Sequence, residues 1–332
     1  MFKLLRGIYG FLKKHPGKTR LALVVVLFSI LFTNIHPSDI WATIKQADMR
    51  YLIGGFLLII PNLTLQFLKW RFILRVLEPR PSARLTLVSL FGGFFLGAAT
   101  PSRTGELARG FLMPGYSKVR IASLTVVDKG FSQLTVLMTG LQIFGLFFLP
   151  FPFWIIPPLI LAAVLAAMFN IHRLRPPIER LLARFTGGSM IENALGAFDA
   201  LSHRTVLGMI GFSVLFYLTF TVQFYLVLRS FVEVSPSIGL HAVPLIFLAN
   251  SLVPISIGEF GMKDFAAVQI LGQYGIPGAA VLSATFTQNL MGFILPSLIG
   301  GIIFSLNGHR PPIHEARTFD VQKALRSDSS RP

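Results

Sequence analysis

Long apolar runs separated by blocks of Lys and Arg set the layout of this chain. Six of them, residues 20–35, 51–77, 119–149, 155–169, 205–231 and 279–306, read as membrane spans, a full crossing needing roughly 20 residues. Pro61 is placed to kink the second. Two further apolar stretches break in the middle. In the first, residues 85–99 supply about 15 residues, roughly 22 Å of helix, and residues 107–113 are shorter still. Two half-helices joined at residues 101–105 fit this pattern, entering and leaving the bilayer on one side. Residues 238–271 form a second such re-entrant hairpin. Ahead of the spans, residues 1–18 alternate basic and apolar positions (Lys3, Arg6, Lys13 and Lys14 against Phe2, Leu4, Leu5 and Ile8), the pattern of an interfacial amphipathic helix. Residues 36–50 begin like a short capped helix, with Trp41 as an interfacial anchor. Residues 172–204 read as a basic amphipathic linker, and residues 307–332 as a basic tail with the composition of disorder.

Composition narrows the class. Of 332 residues, 53% are hydrophobic and 13% charged, against about 25% charged in soluble domains. There is no Cys, hence no disulfide, thiolate metal site or Cys nucleophile. The net charge of +16 would suit a nucleic-acid partner. Its distribution argues against one, because the cations fall between apolar runs as the positive-inside rule requires. Of 30 Lys and Arg, only Lys45 and Arg50 fall in an expected outer loop, which puts both termini in the cytoplasm. The basic start imitates a signal peptide, but no small-x-small cleavage site follows residues 21–32, so an uncleaved first span is expected.

Residues 51–149 and 205–306 each hold a span, a hairpin and a span. The first unit starts outside and the second inside. Both hairpin tips read Pro-x-x-x-Gly-Glu: Pro101, Gly105 and Glu106, then Pro254, Gly258 and Glu259 at an offset of 153 residues. Ser123-x-Thr125 is echoed by Ser283-x-Thr285. The expectation is an all-α polytopic membrane protein with about six full spans plus two re-entrant hairpins in an inverted repeat. An eight-span count, treating each hairpin as a crossing or a pair, is the main alternative. Inverted repeats with broken helices characterise secondary transporters.

The tips carry Arg103, Glu106, Arg109, Glu259, Lys263 and Asp264. A charge near the bilayer centre costs on the order of 3 kcal/mol, so these groups must pair or line water. Arg103, Glu106 and Arg109, at i, i+3 and i+6, share roughly one helix face. A helix starting at Leu107 would add free N–H groups and a positive dipole end. Two guanidiniums and a helix N-terminus make a phosphate site. The competing reading pairs Arg103 and Arg109 with Glu106 and Asp128 to hold the hairpin. Asp128, beside Lys129, reads equally as a proton carrier or an Arg partner. Glu259 and Lys263, at i and i+4 in the favourable order, read as an internal pair. Gly105 and Gly258 read as turn or close-packing positions. Gln288 and Asn289 are polar at depth, in a cavity or in helix–helix hydrogen bonds. His203 and His241 lack partners at ligand spacing, and nothing requires a metal or cofactor.

The segment Pro101-Ser102-Arg103-Thr104-Gly105-Glu106-Leu107-Ala108-Arg109, the Asp128-Lys129 pair and Pro254-Ile255-Ser256-Ile257-Gly258-Glu259-Phe260-Gly261 resemble the lysylphosphatidylglycerol synthase transmembrane, or flippase-like, family. Lys129 stands where that family usually has Arg, and Glu259 where a second Gly is common. The resemblance covers roughly residues 15–306. It implies the lipid-translocating half of the fused synthases without their soluble aminoacyl-transferring domain. The expected function is a flippase in the cytoplasmic (inner) membrane for a phosphate-bearing lipid, either a phospholipid or a polyprenyl phosphate. Its partners would be membrane lipids with anionic headgroups. Its substrate-binding residues would be Arg103, Glu106, Arg109, Asp128, Lys129, Glu259, Lys263 and Asp264. Some relatives are described as glycosyltransferases of lipid-linked sugars, which makes an integral-membrane glycosyltransferase the alternative. The outer loop 36–50 offers that chemistry only Asp39 and Asp48, and no Gly-x-Ser-x-Gly, His-Glu-x-x-His or P-loop pattern is present. A small-anion transporter is a third reading.

Overall fold

A computed structural model describes residues 25–33, 35–98, 100–169, 201–253, 256–257 and 259–307. The expected amphipathic helix 1–18, most of the linker 172–204, nearly all of the tail 307–332, and the turn residues Pro254 and Gly258 lie outside these residues.

Helices α1 (Val25–Thr33) and α2 (Pro37–Lys45) meet at 76°. Helices α3 (Met49–Leu57) and α4 (Ile59–Leu74) form one span interrupted at Leu58. Pro61 is the cause, since its ring opposes the carbonyl four residues back, that of Leu57. Helix α5 (Ala83–Ala98) leads into a 3-10 helix (Pro101–Leu112), and α6 (Lys118–Phe148) follows. Then come α7 (Ile156–Phe169), α8 (His203–Phe231) and α9 (Pro236–Leu252). Two short antiparallel strands, β1 (Ser256–Ile257) and β2 (Phe260–Gly261), precede α10 (Met262–Gly272). Helix α11 (Gly278–Asn289) passes through a π turn (Leu290–Ile294) into α12 (Leu295–Asn307).

This is an all-α polytopic membrane protein. Among the described residues, four helices are long and apolar enough to cross a membrane: Met49–Leu74, Lys118–Phe148, His203–Phe231 and Gly278–Leu306. The bent pair α1–α2 makes a fifth at most. The other expected span is α7, 14 residues long, which runs up to the edge of the described residues. Ile60, Leu159, Leu298 and Ile302 are all more than half exposed, an apolar exterior suited to lipid rather than water.

The two repeats are inverted in space. Helices α3–α4 and α8 lie antiparallel: the Asp48 N–H donates to Ser230 O at 2.7 Å at one end, and Phe72 lies against Gly208 at the other. Each hairpin packs its first limb on the last span of the opposite repeat. A Cβ on Gly300 of α12 would stand 2.0 Å from Phe91 O of α5, and one on Gly140 of α6 would stand 2.8 Å from Pro244 O of α9. The hydrophobic cores correspond too. Trp70, Ile73 and Leu74 match Phe224, Val227 and Leu228 at a step of 154 residues, Leu90 matches Val243 at 153, and Ile121, Leu124 and Phe131 match Val281, Ala284 and Met291 at 160. The lengthening of the step lies in the return limb of the second hairpin. There α10 is a full α-helix, where the first hairpin has only the 3-10 segment.

The tips therefore differ, although their motifs read alike. The first is a 3-10 helix beginning at Pro101, and the second is a pair of short antiparallel strands with Glu259 between them. The helix expected to begin at Leu107 is absent. Winding begins six residues earlier, so the helix N-terminus invoked for a phosphate site is not at Leu107.

Candidate functional site

A run of 3-10 helix this long is unusual, and the sequence of α5 explains how it is held. Gly93 and Gly97 lie one turn apart and leave a groove in α5. A Cβ on Gly97 would stand 2.9 Å from Glu106 Cγ, and one on Gly93 would stand 2.6 Å from Arg109 Nε. Gly105 closes the contact from the other side, because a Cβ there would be 2.0 Å from Leu96 O. Close packing, not a positive φ, is therefore what requires Gly105. With three residues per turn, side chains at i and i+3 eclipse, so Arg103, Glu106 and Arg109 stack in one column. Arg103 itself adopts φ 57°, a left-handed conformation that costs a non-glycine residue roughly 1–2 kcal/mol. Strain of this kind gathers where a side chain must be aimed.

Glu106 is the hub of the column. Its Oε1 lies 2.7 Å from Arg103 Nε, and its Oε2 lies 2.6 Å from Arg109 Nη2 and 2.7 Å from Lys129 Nζ. Arg103 also crosses to the other hairpin, with Nη1 2.8 Å from Glu259 Oε1. Arg109 lies over the Trp70 ring at 4.7 Å and within 3.6 Å of Asp128 Oδ2. Asp128 Oδ1 is held at 3.1 Å by Lys69, which also donates to Asp128 O at 2.9 Å and to Ser132 Oγ at 2.5 Å. On the second hairpin, Lys263 lies 3.9 Å from Glu259 Oε2 and donates to Asn289 Oδ1.

Seven of the eight expected site residues thus join one ionic network. Of the two readings of the arginines, the pairing with Glu106 and Asp128 is what the geometry shows. It does not exhaust their charge, because five cations face three carboxylates and two positive charges are left over. Asp264 stands apart. Its Oδ2 accepts from the Gly261 N–H at 2.8 Å and so caps α10, where Gly261 at φ 137° takes a conformation reserved for glycine.

The network borders a cavity of about 220 Å³ between the two repeats. Lys69, Arg103, Arg109, Lys129 and Lys263 line it against only two carboxylates, Asp128 and Glu259. Lys129 is the open cation, its side chain 44% exposed, whereas Lys69, Arg109 and Lys263 are buried and set the field behind it. Gln288 and Asn289 also line the cavity, at the start of the π turn, a deformation frequent at functional sites. Among the described residues, no group of three His, Asp or Glu is placed to hold a metal ion.

Lys69 is a site residue that the sequence did not reveal. It reads as part of the basic cytoplasmic end of its span, yet it is buried and joins the network through Asp128. That end rests instead on Arg71, Arg75, Arg80 and Arg84. The signal was present, since Asn62, Gln66 and Lys69 recur at i, i+4 and i+7 as a polar stripe on an apolar helix, and all three line the cavity.

Residues 19–300 match the family described as the lysylphosphatidylglycerol synthase TM region. The chain belongs to that family. It is also similar to a UPF0104 membrane protein of Methanocaldococcus jannaschii, 21% identical over 317 residues, covering 87% of this chain and 94% of the relative. No solved structure matches it. The match takes in both hairpins and every cation and carboxylate of the network, so the ionic column belongs to the family domain.

Proposed function

We propose that the chain is a lipid translocase of the cytoplasmic membrane, with both termini in the cytoplasm. It moves a phosphate-bearing lipid, a phospholipid or polyprenyl phosphate, between leaflets. The observation that carries this reading is the cavity between the repeats, where five cations face two carboxylates. A phosphate meeting Arg103 and Lys129 there would neutralise charge that the protein's own carboxylates leave over, through charge-assisted hydrogen bonds. The acyl or prenyl tails would stay in the apolar surroundings.

Alternating access needs a contact that can break. Arg103–Glu259 joins the two tips, and both side chains are about a quarter exposed, unlike the buried pairs behind them. The two hairpins, read as re-entrant, would part at this bridge when phosphate draws Arg103 away from Glu259. Glycosyl transfer is less favoured. Glu106, Asp128 and Glu259 are each held by cations and Asp264 by a backbone N–H, which leaves none of them as a ready general base.

Purified chain in liposomes is expected to expose a fluorescent phosphatidylglycerol or polyprenyl-phosphate lipid of the inner leaflet to an outside quencher. Lys129→Met and Arg103→Gln should each slow this by about tenfold or more, the loss of one charged contact. If neither lipid moves, or if both variants are as fast as the parent, the proposal fails. Sugar transfer from a lipid-linked donor by the purified chain would replace it.

A further inference from the structure

Pseudo-equivalent positions of the two repeats carry different chemistry where they meet the cavity. In the first repeat Lys69 reaches Asp128, and Lys129 reaches Glu106. The same steps that relate the two cores carry Lys69 to Gln223, Asp128 to Gln288, and Lys129 to Asn289. The contacts are preserved, with amides in place of ions. Gln288 Nε2 donates to Gln223 Oε1 at 3.3 Å, and Asn289 Nδ2 donates to Glu259 O at 3.4 Å. Polar Asn62 and Gln66 on α4 likewise correspond to Phe216 and Phe220 on α8, and all four line the cavity. One wall is ionic. The other carries the Glu259–Lys263 pair and is otherwise built of neutral amides and aromatic rings.

The amide and aromatic part of this wall has unmet hydrogen-bonding capacity. Gln223 is fixed, because its Nε2 donates to Gly55 O at 3.1 Å while its Oε1 accepts from Gln288. Gln288 Oε1 is then left as a buried acceptor without a partner. The hydroxyl of Tyr217, on the same wall, has none either. Both residues are more than nine-tenths buried and both line the cavity. Buried polar atoms left unpaired are costly and rare, and at a cavity wall they mark where a ligand bonds.

A carbonyl acceptor repels a phosphate oxygen and needs a donor, either an ammonium or a hydroxyl. The cations lining the cavity disfavour an ammonium. We infer that the translocated lipid carries an uncharged, hydroxyl-bearing headgroup beyond its phosphate. The phosphate sits at Arg103 and Lys129, and the hydroxyls bond Gln288 and Tyr217 against the rings of Phe216 and Phe220. This inference rests on the lipid-translocase reading. It separates the substrate from the cationic, lysylated lipid of the family's name.

The test is equilibrium binding to the purified full-length chain in detergent. Two lipid pairs distinguish the source of the phosphate: phosphatidylglycerol against phosphatidic acid, and a polyprenyl-phosphate hexose against polyprenyl phosphate. Lysylphosphatidylglycerol is the charged control. In at least one pair the hydroxyl-headed lipid is expected to bind about tenfold tighter than its bare phosphate partner, a loss typical of unpaired polar groups. The pair that shows the preference identifies the source. Lysylphosphatidylglycerol should bind more weakly than phosphatidylglycerol. Tyr217→Phe combined with Gln288→Leu should bring the hydroxyl-headed lipid down to the level of its bare partner. Tyr217→Phe alone serves if the double variant no longer elutes as a folded, monodisperse species. The inference is overturned if both members of each pair bind equally to the parent, if lysylphosphatidylglycerol binds best, or if the variant keeps the preference. Equal, tight binding of every phosphate lipid leaves the translocase reading standing without it. Binding of none removes both.

Discussion

Glu106 holds Arg103, Arg109 and Lys129 at once, and that arithmetic decides what its replacement does. Removing one partner of a buried pair typically costs about 3–5 kcal/mol, because the other charge is left uncompensated. Glu106→Gln strands parts of three cations and should sit at the upper end of that range, read as a lowered thermal unfolding midpoint in detergent. Adding Lys129→Met to Glu106→Gln removes one stranded charge and should recover stability, a coupling of about 0.5–3 kcal/mol in a double-mutant cycle. If the two losses simply add, Lys129 is not held by Glu106. Glu259→Gln should cost less than Glu106→Gln, since Glu259 is a quarter exposed and solvent screens what remains. Residue types were legible in the sequence to the extent that motif and charge coincided. Arg103, Glu106 and Arg109 announce themselves by standing in a Pro- and Gly-marked break. Lys69 does not, because a lysine near a basic loop resembles its exposed neighbours, and only its place on the polar stripe with Asn62 and Gln66 sets it apart.

At the level of elements, apolar length marked out both hairpins but could not tell what closes them. Two tips sharing Pro-x-x-x-Gly-Glu became a 3-10 helix and a pair of short strands. The first has the Gly93–Gly97 groove beneath it, while the second has a glycine at φ 137° and a full α-helix after it. These are tertiary causes, invisible to local spacing. The interlock between repeats was equally hidden, and it yields a paired expectation. Gly300→Val would drive a methyl group into Phe91 O, and Gly140→Val would drive one into Pro244 O and Leu248. Overpacking of this kind costs about 1–3 kcal/mol. The two substitutions lie in different halves of the chain, yet they should lower the unfolding midpoint to a similar degree, because they occupy the same place in the inverted architecture. A large effect from one and none from the other would mean that the hairpin–span contacts are not equivalent.

The molecule as a whole is ordered by charge, and its orientation follows from where the basic residues collect. Helices α3–α4 and α8 run antiparallel, so the segments joining spans must alternate between two faces. With the first hairpin entering and returning on one side, Ser82, Ser117 and Ser202 share the face of Arg71, Arg75, Arg80, Arg84, Lys118 and Arg120, and Ser38 and Ser235 share the opposite one. All five serines are exposed. In the proposed orientation, which follows the positive-inside rule, the first face lies in the cytoplasm. The chain has no cysteine, so each serine can be replaced singly by Cys without a background thiol. In intact cells a membrane-impermeant maleimide should label Ser38→Cys and Ser235→Cys and leave the other three untouched until the membrane is permeabilised. Ser82 and Ser117 are the informative pair, because they flank the first hairpin. If both label from the same side, the hairpin enters and returns, whereas labelling from opposite sides makes it a crossing. A crossing would carry Ser117 to the other face, breaking the charge pattern at Lys118 and Arg120, while the packing of Gly208 on Phe72 keeps Ser202 where it is. Accessibility of those two serines is therefore the measurement that decides whether the first hairpin enters and returns on one side or crosses.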